Sequence, residues 1–256
     1  GDFHAVTTAN NLLAAFIDAQ IFHGDSTGLE PSSVTWRRVL DMNDRALRDV
    51  VTGLGGSQNG VVRETGFDIT AASEVMAIWA LSENLADLRA RLGQIVVGES
   101  RNGRPIRAEE VGCAGAMAVV MKQAMSPNLV QTTEGGGALI HAGPFANIAH
   151  GNCSIIADRV ALALADYVVT EAGFGADLGA EKFFNIKCRV SGLKPDAVCL
   201  VASTRSILMH ETGAGATPSD PRFAVGGPGL QNLARQVKNV LAHGVPGWSF
   251  LSAASF

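Results

Sequence analysis

The chain has 256 residues, 47% apolar and 17% charged, with 29 glycines and a mean hydropathy of +0.19, which excludes disordered and collagen-like chains and leaves one large or two modest globular domains. Twenty Lys and Arg against 24 Asp and Glu give a net charge of −4, and the basic residues are scattered, which argues against a nucleic acid or a membrane surface as partner. Four widely separated cysteines (Cys113, Cys153, Cys188, Cys199) with no CxxC pair point away from structural zinc and a disulfide framework and toward a reducing compartment.

In chain order, Asn10 and Asn11 are expected to cap a helix reaching about Phe22, with Leu12, Leu13, Phe16, Ile17 and Ile21 as its apolar stripe. Gly24 to Ser33 reads as a loop, Val34 to Val51 as helical, Gly53 to Gly60 as a glycine-rich connection and about Ala72 to Leu81 as a helix. Gln94 to Gly98 is a short strand, and Asn102-Gly103 turns it into a hairpin with RPIRAEE. Beyond Cys113 the order is helix 113–125, strand PNLVQT, strand ALIHAG, helix about 147–164, strand YVVTEA, helix about 179–187, strand DAVCLVA and a helix from about Leu230 to Ala242. Apolar strands alternating with helices predict an α/β fold: a mostly parallel sheet with helices on both faces, plus a small hairpin and helical subdomain. The expected division is 1–93 mainly helical, 94–212 as the α/β core, 213–229 as a linker and 230–256 as a final helix and strand.

In such a sheet, ligands bind outside the carboxyl ends of the strands. Three loops qualify: GPFANIAHG (Gly143 to Gly151), GFGADLGAEKFF (Gly173 to Phe184) and STRSILMH (Ser203 to His210). A Gly-Pro turn followed by Asn147 at an expected helix start leaves backbone N–H groups free for an anion, although the same glycines equally suit a tight strand-to-helix connection. GFGADLG spaces its glycines as GxGxxxG, one residue longer than the dinucleotide fingerprint, and no acidic ribose partner follows, which weighs against a Rossmann-type NAD(P) oxidoreductase. GxxxxGK[ST] does not occur in these residues. His141 and His150 lie nine apart, a poor metal-ligand spacing, and each reads more readily as a hydrogen-bonded core histidine. The residues alone lead to an α/β enzyme that binds an anionic small molecule.

The strings GDFHAVTTANNLLAA, RVLDMNDRALR, RETGFDITAASEVMAI, PNLVQTTEG, GPFANIAHG and VVTEAGFGADLGAEKFFNIKCR together resemble the formate–tetrahydrofolate ligase (10-formyltetrahydrofolate synthetase) family, in the family's order from Gly1 to about Val245. The resemblance implies a P-loop NTPase-like fold, here truncated at both ends, and ATP-dependent ligation of formate to tetrahydrofolate through formyl phosphate. It also implies ATP with Mg²⁺ and tetrahydrofolate as substrates, a cytoplasmic homo-oligomer, and no nucleic-acid or membrane partner. By this carry-over His4, Asn147 and His150 are the candidate catalytic residues, and Pro144, Phe145, Ala146, Ile148, Gly151 and Arg205 the candidate substrate-binding residues. The sequence departs from the family in VASTRSILMHETG and in EGGGA (Glu134 to Ala138), and the family's P-loop lies before the point where these residues begin. The chain is therefore expected to be a central portion, inactive alone. The alternative reading is a catalytically silent remnant that binds folate or oligomerises.

Overall fold

A computed structural model describes residues 1–24, 26–212 and 227–252, and the expected linker at 213–229 lies largely outside them. The described chain divides into two compact units, one formed by 1–145 and 153–170 and the other by 146–152 and 171–256.

The first unit is organised on α1 (Asp2–His23), whose Val6, Ala9, Leu13 and Ile17 are buried at the i, i+3, i+4 spacing of one helical face. The helix begins eight residues before the expected Asn10 cap. Asn10 and Asn11 sit mid-helix because their carboxamides have another task. Asn10 Nδ2 donates to the Arg37 carbonyl (3.0 Å), while Asn11 donates to the Val39 carbonyl (3.0 Å) and accepts from the Val39 N–H (2.9 Å). They satisfy the open edge of β1 (Arg38–Leu40), which is why the segment expected to be helical from Val34 to Val51 is extended at β1 and at β2 (Val50–Thr52). β2 pairs antiparallel with β3 (Arg63–Thr65), and β1 pairs parallel with β4 (Phe67–Ile69). Arg38 and Arg63 both grip Asp18 of α1 at 2.7 and 2.6 Å, and although burial opposes it, they hold that carboxyl below its usual range.

Helices α2 (Glu74–Leu81), α3 (Leu85–Gly93), α4 (Ala108–Val111) and α5 (Ala114–Met121) complete the core with β5 (Val96–Glu99) and β6 (Pro105–Arg107), the hairpin turned at Asn102-Gly103. Trp79, Leu88, Leu92, Ile106, Met117 and Met121 are fully buried there, each contributing about 1.5–3 kcal/mol relative to an exposed position.

β7 (Asn128–Gln131) and β8 (Gly137–Ile140) correct the expectation of a mostly parallel sheet, because they pair antiparallel. The five residues between them close a tight turn in which Gly135 N–H donates to the Thr132 carbonyl and Thr132 N–H to the Gly136 carbonyl. That connection is too short for a parallel crossover. Among the described residues the sheets are five two-stranded pairs, two parallel and three antiparallel. α6 (Ile155–Leu164) closes the unit. The expected strand YVVTEA that follows is irregular: Tyr167 and Val169 are exposed, and no neighbouring strand among the described residues takes up its backbone groups.

The second unit carries two π-helical turns, Gly175–Ala180 and Phe183–Cys188, then α7 (Arg189–Ser191). β9 (Val198–Ser203) lies parallel to β10 (Gly247–Ser252), with α8 (Thr204–Thr212) and α9 (Pro228–Ala242) between them in sequence. α9 holds the π-helical segment through Gln236, which accepts from the Asp177 N–H at 2.9 Å, while His243, just past its end, stacks on Phe184 at 4.3 Å.

Candidate substrate-binding loop

GPFANIAHG lies on the connection from β8 to α6, and a buried side-chain pair brackets that connection. His141 follows β8, and Ser154 is the N-cap of α6, where its oxygen accepts the Ala157 N–H at 3.0 Å. His141 Nδ1 is 2.6 Å from Ser154 Oγ, and Nε2 is 2.6 Å from the Ala124 carbonyl. A carbonyl can only accept, so Nε2 carries the proton and Nδ1 accepts from the serine hydroxyl. Burial pushes the imidazole pKa down, and the ring stands edge-on to Trp79 at 4.6 Å. His141 is thus the neutral core histidine that its place after an apolar strand allowed.

The first part of the loop belongs to the first unit. Ala142 has φ 57°, the only non-glycine residue in the left-handed region among those described, so the chain turns sharply here at a steric cost. Gly143 follows with no room for a side chain, since a Cβ would come within 2.8 Å of the Phe3 ring. Asp2 accepts from Asn128 Nδ2 at 3.1 Å, and the same amide donates to the Ile140 carbonyl at 3.2 Å. The first turn of α1, which carries an exposed His4, is therefore seated on the exit of β8 and on Gly143. Pro144 is half-buried and Phe145 exposed.

Residues 146–152 belong to the second unit. The helix expected at Asn147 starts instead at Ile155, and 146–150 form turns. The correction has a physical cause: Gly151, in the left-handed region at φ 94°, and the serine cap at position 154 delay the helix. Asn147 and Ala146 are half-buried, Ile148 is exposed, and His150 and Gly151 are buried. Three glycines set the conformation by backbone-to-backbone contact. A Cβ on Gly151 would meet the Phe183 nitrogen and Gly179 oxygen, one on Gly173 the Asn147 nitrogen, and one on Gly179 the Gly173 carbonyl. Gly173 N–H also donates to the Gly151 carbonyl at 2.9 Å. Gly173 and Gly179 of GFGADLG therefore serve close packing, and among the described residues no strand runs directly into the motif, which opens a π-helical turn rather than the helix of a dinucleotide fingerprint.

Arg205 lies in the first turn of α8, two residues past the carboxyl end of β9, and is exposed. The structure seats the turn carrying His4 beside Gly143, holds Asn147 against Gly173 and places Arg205 at a strand end. Sequence reading missed the bracket from His141 to Ser154, the contact of Phe3 with Gly143 and the three-glycine contact. Only the glycine richness signalled the last. Among the described residues no group of three or more His, Cys, Asp and Glu is placed to hold a metal ion, and no helix is long and apolar enough to cross a membrane.

Comparison with known proteins matches residues 1–248 to the family model described as formate–tetrahydrofolate ligase. Among curated relatives, formate–tetrahydrofolate ligase 3 of Rubrobacter xylanophilus is 56% identical over 255 residues, the Paracoccus denitrificans ligase 57% over 246 and a Cereibacter sphaeroides ligase 58% over 246. Each match covers 96% of this chain and 44% of the relative, so the chain spans less than half the length of the relatives it matches. With the family model spanning nearly every residue at this level of identity, the chain belongs to the formate–tetrahydrofolate ligase family.

Proposed function

We propose that the chain supplies the formate and folate side of an enzyme that ligates formate to tetrahydrofolate at the expense of ATP. Membership of the family carries the reading, and the GPFANIAHG loop, rigidly bracketed yet presenting Phe145 and Ile148 to solvent, supports it. In the first step a formate oxygen attacks the γ-phosphorus of ATP, giving formyl phosphate and ADP. In the second, N10 of tetrahydrofolate attacks the formyl carbon, the carbon–oxygen bond to phosphate breaks, and N10 gives up its proton. Both steps gather negative charge, which fixed donors stabilise better than mobile water.

On this reading, in the second unit Asn147 and the backbone of Ala146 to Gly151 meet the formyl phosphate, Arg205 adds a cation, Ile148 offers an apolar face to the folate ring and His150 is a catalytic residue. In the first unit, His4, Pro144 and Phe145 are the residues that the family resemblance assigns to the reaction and its substrates. On this reading, within a P-loop NTPase-like fold, the phosphates of MgATP need a P-loop cradle; GxxxxGK[ST] does not occur in these residues, and the chain alone is expected not to turn over. A cytoplasmic homo-oligomer fits the family. The test is a chimera in which these residues replace the matching segment of the Rubrobacter relative. Product formation that requires formate, ATP and tetrahydrofolate is expected, and a folded chimera without turnover would overturn the proposal in favour of a silent remnant.

A further inference from the structure

Lys187 is a charged side chain enclosed in the second unit, only 1% exposed, on the π-helical turn Phe183–Cys188. Its ammonium donates to Asn152 Oδ1 at 2.9 Å and lies 5.8 Å from the centroid of the Phe183 ring. Enclosing an ammonium is costly, and a methionine would fill the same slot without that cost. The turn already meets the loop at a second place, because the Phe183 nitrogen bounds the space beside Gly151, together with the Gly179 oxygen of the preceding π-helical turn. Consecutive loop residues are thus held by one element, Gly151 by steric contact and Asn152 by a charge-assisted hydrogen bond.

We propose that Lys187 is a positioning residue for the substrate-binding loop: its ammonium holds the Asn152 carboxamide and so fixes the backbone from His150 to Asn152. The proposal rests on the reading of that loop given under Proposed function. Lys187 lies within a π-helical turn, a form found frequently at functional sites. Lys187 itself touches no substrate.

The test uses the Rubrobacter chimera with Lys187→Met, Asn152→Ala and both together, read by kcat and KM for formate and tetrahydrofolate and by amide hydrogen exchange. Each single variant is expected to lower kcat/KM about tenfold and to speed exchange at residues 149–152, with the double variant within about twofold of the worse single. Exchange in α9 stays unchanged. Folded variants with parental kinetics and loop exchange, or effects that multiply in the double variant, would overturn the proposal. Should Lys187→Met fail to fold, Asn152→Ala decides, because it keeps the ammonium and removes the Asn152 carboxamide that accepts from it. An inactive parent chimera would refute the functional reading alone, since loop exchange still reports whether Lys187 fixes the backbone.

Discussion

Ser154 donates its hydroxyl to His141 across 2.6 Å and at the same time caps α6, so two residues thirteen apart tie the ends of the candidate loop together inside the core. The bond needs a neutral imidazole with an unprotonated Nδ1. Ser154→Ala removes both the cap and the donor, and is expected to cost about 2 kcal/mol, read by urea unfolding.

Burial of the same imidazole sets a pH dependence. Burial depresses the His141 pKa in the folded protein, whereas the unfolded chain protonates it near the ordinary value of about 6.5. The unfolded state thus binds more protons as pH falls through that value, and stability declines until the folded-state pKa is reached. Unfolding measured at pH 7.5 and 5.5 is expected to show this loss, and His141→Gln to reduce it. An unchanged dependence in the variant would place the titration elsewhere.

Ala142 pairs a left-handed backbone with a methyl group. Ala142→Gly removes a clash of about 1 kcal/mol, so the variant is expected to be as stable as the parent or more so. Ala142→Val, branched at Cβ, is expected to lose at least about 2 kcal/mol. Chemical denaturation of the pair checks the sign.

Steric contact at Gly179 makes a local prediction. Gly179→Ala forces the Gly173 carbonyl away and is expected to cost about 3 kcal/mol, with faster amide exchange at 147–151. Gly115→Ala is the control: nothing lies within 4 Å of its added Cβ in α5, so stability should rise by up to about 1 kcal/mol.

Local signals in the sequence were followed closely where local chemistry decides the outcome. The Asn102-Gly103 turn, the helix ending at Leu81 and the helix ending at Ala242 all appear as their residues require. The α/β class is likewise legible. The extended β1 was hidden because its backbone is satisfied by Asn10 and Asn11 from a helix some 28 residues earlier, which no window of sequence reveals. PNLVQT and ALIHAG carried the apolar runs of buried strands, and only the length of their connection marks them as a hairpin. The loop itself stood out by composition. Its bracket did not, because a histidine and a serine thirteen apart carry no pairing signal.

The central claim is that GPFANIAHG meets the substrates, and Asn147→Ala in the Rubrobacter chimera tests it most directly. Asn147 is half-buried and meets Gly173 through its backbone nitrogen, so the variant should fold and keep its thermal stability. Steady-state formation of 10-formyltetrahydrofolate is expected to show kcat/KM lowered tenfold or more, equivalent to about 1.4 kcal/mol of transition-state stabilisation. Parental kcat/KM in a folded Asn147→Ala chimera would contradict the account.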